Sequence, residues 1–401
     1  MIVRRDPDVH LGYCTNIHAG ESWSEVLANL STHLLEVKRR TAPAQAFGVG
    51  LRLSNRAAVE LAEPEALARF RDFLAAHDLY VFTVNGFPYG RFHGAPVKER
   101  VYLPDWLDDE RVAYSDRLAT ILAALLPAGT DGSISTVPGC HRARGTLDEV
   151  GPAIAAQLFR HVAGLVRIRE AGGPTIGLAL EPEPRCVLET SAEAVAFFAR
   201  HVLDDAGVRA FAAHAGLTTG AAADALRRHL GVCLDACHAA VEFEDPDAAP
   251  RAFAAAGIRV LKVQVSAGLR LRAPDPPALG ALAAFAEGVY LHQPVIREAA
   301  GLRRYDDLPE ALADAHGGKL GEEWRVHFHV PLFRERLGRF ESTQDFLRTL
   351  LATQARDPIS SHLEVETYTW DVLPEEYRRE PVAEAIAREL RWVRDALGAT
   401  P

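Results

Sequence analysis

A chain of 401 residues with 48% hydrophobic content can bury a large core, and α/β barrels with insertions reach this size as one unit, so a single domain over 1–401 is expected. Acidic residues outnumber basic ones by 54 to 44, and the formal charge of −10 offers no general attraction to phosphate backbones or anionic lipid, which argues against a nucleic-acid partner. The cysteines (Cys14, Cys140, Cys186, Cys233, Cys237) are odd in number and scattered through strand-like runs, which argues against a disulfide framework.

At the start of the chain, MIVRRDPDVHLGYC carries Arg4, Arg5, Asp6 and Asp8 where a signal peptide needs an apolar stretch, and no run approaches a membrane span. A cytoplasmic protein without membrane insertion is the expectation. Short β-branched or aromatic runs then alternate with Ala/Leu/Arg-rich stretches of helical period, the pattern of repeated βα units and a parallel sheet. The predicted strands are 11–16, 46–53, 79–86, 132–139, 175–182, 231–238, 259–266, 324–330 and 361–367, with helices between them at 64–77, 113–126, 191–203 and 343–355. Nine strands exceed the eight of a (β/α)8 barrel, so one is an addition or not a strand, with 46–53 and 324–330 as the candidates. The segment 86–110 is aromatic, contains His93 and is rich in turn residues; in a barrel such a loop closes over a ligand or receives a partner. The Pro/Gly-rich segment 268–280 reads as another long loop. Cys233 and Cys237 have CxxxC spacing with no second pair and read as buried filler rather than a redox or metal motif. No GxGxxG, Walker loop or HExxH is present.

Ionisable residues fall at the ends of apolar strands, where barrel enzymes place their active sites. Glu181 follows IGLAL, with Glu183 two residues on. Asp235 ends GVCL, and His238 follows three residues later; taken alone, an acid here equally suits a helix cap. Lys262 and Gln264 share one face of RVLKVQVS, and a buried lysine makes that face polar and functional. His327 and His329 share one face of VHFHV, as Glu364 and Glu366 share one face of LEVET. Paired carboxylates on an apolar strand need a cation, a proton or an arginine between them. A divalent metal ion satisfies several carboxylates converging with imidazole or amide ligands; the oxygen-rich set suits Mn2+, Mg2+ or Co2+ and also admits Zn2+.

These residues resemble the xylose-isomerase-like TIM barrels, especially their ketose-epimerase and sugar-phosphate isomerase/epimerase branch, in which strands end in Glu-Pro, then Asp-x-x-His, then a metal-binding His with an Arg six residues on, and finally a Glu. Glu181-Pro182, Asp235-Ala-Cys-His238 and Glu366 match that pattern, and Gln264 stands in place of the His, with Arg270 six residues on. The resemblance implies metal ligands Glu181, Asp235, Gln264 and Glu366, with His329 or His327 as a source of the missing imidazole, and substrate contacts from His238 and Arg270; His327, Lys262 and His93 are further candidates for substrate contact. Longer stretches, LGYCTNIHAGESW (11–23), FTVNGFPYG (82–90), SISTVPGC (133–140), HFHVPLF (327–333) and LEVETYTWDVLP (363–374), resemble the bacterial family named metabolite traffic protein EboE. That resemblance implies a sugar, polyol or cyclitol-type small molecule in secondary metabolism, partners from the same operon, and an oligomeric state left open, a homo-oligomer included. With a metal at the strand ends, Glu181 and Glu366 are expected to move a proton between neighbouring carbons of a substrate that the ion polarises. Two other classes compete: a non-catalytic carrier or scaffold, favoured by Gln264 at the His position, and an endonuclease-IV-like phosphodiesterase, disfavoured by the acidic balance.

Overall fold

The computed structural model describes residues 1–398; 399–401, the end of the expected 1–401 domain, lie outside the described residues. Eight parallel strands run in chain order as β1 (Val9–Tyr13), β2 (Phe47–Arg52), β3 (Leu79–Asn85), β4 (Gly132–Thr136), β5 (Ile176–Leu180), β6 (Leu230–Asp235), β7 (Val260–Val265) and β8 (His362–Val365). They pair in the order β1-β8-β7-β6-β5-β4-β3-β2, and a parallel bridge between Cys14 and Gly50 brings β2 against β1, so the sheet curls into a (β/α)8 barrel. A short strand, Ile2–Arg4, adds antiparallel to β1. The strands read as continuous apolar runs because both of their faces are covered: all five residues of β5, IGLAL, are buried. Among the described residues no helix is long and apolar enough to cross a membrane.

The supernumerary strand is 324–330, whereas 46–53 supplies β2. Glu323–Val326 belongs to a six-stranded antiparallel sheet inserted between β7 and β8, together with Leu269–Arg272, Pro294–Glu298, Gly301–Arg304, Arg336–Leu337 and Phe340–Ser342. The segment 268–280 is therefore not a loop. Leu269 and Leu271 alternate with Arg270 and Arg272 as strand residues, and Asp275 caps the helix Pro276–Leu282, whose prolines occupy the first turn, where a missing N–H costs nothing. The long helix Leu147–Glu170 also lies outside the predicted set, although Thr146 and Glu149 give it a capping box. One hydrophobic cluster runs through the barrel and the inserted sheet. All five cysteines are free and buried, and burial pushes the Cys233 and Cys237 thiols well up; Cys237 Sγ also lies within 4.8 Å of ligand atoms of Asp235 and His329.

The barrel interior carries a polar layer beneath its mouth. Lys262 Nζ lies 2.5 Å from Glu364 Oε2 and donates to Ser135 Oγ at 3.1 Å, with both charged side chains fully buried. A Cβ at Gly50 would fall 1.8 Å from Glu364 Oε1, so the glycine is what makes room for the carboxylate.

The C-terminal helix Val382–Ala396 anchors two segments that lead into the mouth, because Glu389 accepts from Leu332 N at 3.0 Å and from Thr367 Oγ1 at 2.8 Å through one oxygen. Burial pushes the Glu389 carboxyl up to about 7 from an ordinary 4.5. The folded chain therefore holds a proton that the unfolded chain has released, and the associated stability is intact below about 4.5 and is lost as pH rises to and through about 7. Glu389→Gln keeps the accepting oxygen. It is expected to stabilise the protein by roughly 2 kcal/mol near pH 8 and to change little near pH 5. Urea unfolding midpoints at the two pH values measure this, and an equal shift at both would contradict it.

Candidate metal centre

The strand ends bring four side chains to one point at the C-terminal mouth. Glu181 follows β5, Asp235 ends β6, Gln264 lies on β7 and Glu366 follows β8, and all four are buried. The Gln264 amide stands at their centre: Nε2 is 2.9 Å from Glu181 Oε1 and 3.3 Å from Asp235 Oδ2, and it also contacts Glu366 Oε2. Asn16 and Asn85 donate to the other Glu366 oxygen, Oε1, at 2.6 and 3.0 Å. Asp235 divides its duties. Oδ1 caps the helix Ala236–Val241 by accepting from His238 N at 2.8 Å and takes Ser266 Oγ at 2.9 Å, while Oδ2 turns toward Gln264. The helix-cap reading and the site reading of this residue thus describe its two oxygens.

An amide nitrogen has two hydrogens, and here it faces three carboxylates, while Glu181 Oε2 is buried with no partner. Acceptors exceed donors, and the group is short of positive charge. Burial, and then the Glu366 and Asp235 carboxylates, hold the Glu181 carboxyl well above its ordinary range. Burial, and then Asp235 and Glu364, push Glu366 up to about 8. The residues fit a divalent ion, which would supply the missing charge and take oxygen ligands from Glu181, Asp235, Glu366 and a turned Gln264 amide.

The histidines arrive from two sides. His238 stands on the helix after β6, with Nδ1 3.9 Å from Glu181 Oε1 and Nε2 3.9 Å from Asp235 Oδ1. His327 and His329 follow the inserted strand Glu323–Val326 and turn the same way, while Phe328 packs on Phe285 and His292. His329 Nε2 is 4.0 Å from Asp235 Oδ2 and has no hydrogen-bond partner. Burial holds His329 down to about 4, and burial with the neighbouring His238 holds His327 well below its ordinary value.

Three of the expected substrate contacts lie elsewhere. Lys262 faces the barrel interior, as expected, but one layer below the mouth, where Glu364 engages it. Arg270 points across the inserted sheet to Glu341 at 2.9 Å and Asp345 at 2.8 Å, acids supplied by the neighbouring strand and the helix that follows it. His93 packs at right angles on Phe92 and lines a separate surface hollow with Glu21, Tyr89 and Arg91. Of the two glutamates in LEVET, Glu366 reaches the mouth and Glu364 does not.

A narrow cavity opens above the centre, with Glu181, Glu366, Asn16, Asn85 and Glu183 as its polar floor and Phe87, Phe92, Tyr290 and Tyr368 on its walls. Segment 86–110 closes one side and is pinned to the insertion: Lys98 Nζ reaches Asp307 Oδ2 at 2.6 Å and Tyr290 O at 2.7 Å, and Val97 N donates to Val289 O at 2.7 Å. Glu183 accepts from Tyr102 at 2.9 Å, and burial pushes its carboxyl up to about 7. Asn16 and Asn85 escape the strand-end reading only because it counts charged groups; both close strand-like runs in the same way. Tyr102 and Tyr368 come from short 3-10 helices and Gln293 from a loop, and none carries a comparable signal.

No family profile and no curated protein matches the chain. Solved structures do. A xylose isomerase-like TIM barrel protein from Mycobacterium smegmatis in complex with magnesium is 10% identical over 97% of this chain and 96% of its own, with a TM-score of 0.50. A probable 3-DHS dehydratase from Bacillus anthracis is 12% identical over 95% and 97%, with a TM-score of 0.46. A proposed sugar phosphate isomerase/epimerase from Anabaena variabilis is 12% identical over 97% and 98%, with a TM-score of 0.47. The inserted sheet notwithstanding, the chain has the fold of the xylose-isomerase-like TIM barrels.

Proposed function

We propose that the chain is a divalent-metal-dependent isomerase or epimerase acting on a sugar, polyol or cyclitol-type intermediate, in the secondary-metabolite setting that its resemblance to the EboE family implies. One observation carries the reading: of the four groups around the centre, only Glu181 and Glu366 open into the cavity, while Asp235 and Gln264 lie beneath them. Bound there, an ion of the Mn2+, Mg2+, Co2+ or Zn2+ type would polarise a carbonyl and its adjacent hydroxyl. Asn16 and Asn85 hold Oε1 of Glu366 and the Gln264 amide meets its Oε2, whereas Oε2 of Glu181 has no partner and is the free oxygen of the pair. One carboxylate takes a proton from carbon and the other returns one to the neighbouring carbon. The aromatic walls shed water and offer ring faces to substrate C–H groups.

The protein incubated with ketoses or cyclitol ketones in deuterated water is expected to exchange a carbon-bound hydrogen, read by NMR, only when a divalent ion is present, and to stop on chelation. A second reading, a metabolite carrier, is favoured by Gln264 standing where the resemblance places a metal-binding histidine, its amide bridging the three carboxylates. Saturable binding of the same compounds with no exchange under any of the four ions would decide for the carrier.

A further inference from the structure

A second centre stands beside the carboxylates, and a carrier could hold it as well as an isomerase could. His238, His327 and His329 each bring a ring nitrogen within 4.8 Å of the other two, and His238 Nε2 and His327 Nε2 are 3.0 Å apart. What the opposite ring nitrogens touch fixes the tautomers. His238 Nδ1 meets Pro182 O at 3.0 Å, and His329 Nδ1 meets Glu366 O at 2.9 Å. A peptide carbonyl only accepts, so each Nδ1 bears the hydrogen and each Nε2 of the neutral ring is a bare lone pair.

His327 reaches the same state through a relay. Its Nδ1 is 2.8 Å from Gln293 Oε1, and Gln293 Nε2 donates to Pro184 O at 3.3 Å and to the Tyr102 oxygen at 2.7 Å. The carbonyl of Pro184 orients the amide, and Tyr102 passes its own hydrogen to Glu183 at 2.9 Å. His327 therefore also donates from Nδ1. Three lone pairs now converge, and two of them face each other at contact distance. A proton between His238 and His327 would relieve that pair alone and leave His329 Nε2, fully buried and without a partner, uncompensated.

We propose that His238, His327 and His329 form a zinc site distinct from the carboxylate ring. An imidazole held by Nδ1–H to a carbonyl or amide oxygen is oriented as a metal ligand is, and three nitrogens suit borderline Zn2+ rather than the hard ions that suit carboxylates. On a fourth side the Tyr368 hydroxyl stands 3.4 Å from His327 Nε2. Asp235 lies between the two centres, 3.9 Å from His238 Nε2 and 4.0 Å from His329 Nε2. Two of the three ligands come from the inserted sheet, so the insertion builds this centre on a barrel that already carries the other.

The test is a titration of chelator-treated protein with Zn2+ and Co2+, with bound metal counted after dialysis. Two ions per chain are expected, one of them giving Co2+ the intense visible bands of a four-coordinate ion. His327→Asn should lose those bands and one ion; Glu366→Gln should keep the bands and lose the other ion. A His327→Asn protein with wild-type metal content and spectrum overturns the site, whatever Glu366→Gln does. Loss of metal in His327→Asn with no effect of Glu366→Gln leaves the imidazole site standing and removes the carboxylate one. X-ray absorption of the zinc-loaded wild-type protein needs no variant: imidazole scattering supports the site, and an all-oxygen shell overturns it.

Discussion

Lys262→Met is expected to lower the unfolding free energy by about 3–5 kcal/mol, and adding Glu364→Leu is expected to return most of that loss. The lysine and its partner are both fully buried inside the barrel, 2.5 Å apart. Burial alone would lower the Lys262 pKa, and the Glu364 carboxylate more than reverses it, so the ammonium is charged. Removing it leaves an anion whose Oε1 already accepts nothing and which the Gly50 backbone hems in. Removing both charges leaves apolar side chains of similar volume, a replacement that is often neutral or better. Urea or guanidinium unfolding of the two single variants and the double variant gives the coupling directly. A Lys262→Met protein of wild-type stability with a raised KM would instead return the lysine to the substrate.

The contrast between Lys262 and Gln264 shows what strand periodicity carries and what it omits. Alternation places both side chains inside the barrel, yet two residues along a strand are about 6.6 Å of depth. One lands in the polar layer, the other at the mouth. Glu364 and Glu366 repeat the lesson on the neighbouring strand, Glu364 meeting Lys262 and Glu366 meeting the Gln264 amide. The ends of β5, β6 and β8 were legible because each apolar run runs out at an acid, although at Asp235 one of the two oxygens is also a helix cap. Arg270 was misplaced because its acidic partner Glu341 lies on a strand paired across about seventy residues of insertion, a contact with no local signature. His327 and His329 turn the same way although they lie just past the inserted strand Glu323–Val326, so the facing was readable and the destination was not.

Glu181→Gln and Glu366→Gln are each expected to lower turnover by about 10²–10⁴-fold, with the double variant little worse than either single one, since proton removal and return act as a unit. The two should differ in partial reactions. If one carboxylate abstracts and the other returns the proton, the variant lacking the returning group still exchanges substrate hydrogen with solvent deuterium while failing to turn over. The variant lacking the abstracting group does neither. Metal content has to be measured on each variant, because both glutamates also serve the ion; a variant that keeps its metal and loses turnover isolates the proton-moving role. In Glu366→Gln the new amide would retain the oxygen that Asn16 and Asn85 hold, but its NH2 would face the Gln264 NH2, so Gln264 has to turn and the variant is assayed with the divalent ion in excess. Turnover within a factor of about three of wild type in both variants would exclude the two-carboxylate mechanism, since a general acid–base group contributes at least about 10²-fold. The barrel and its metal-binding geometry would then belong to a protein that holds its ligand without transforming it.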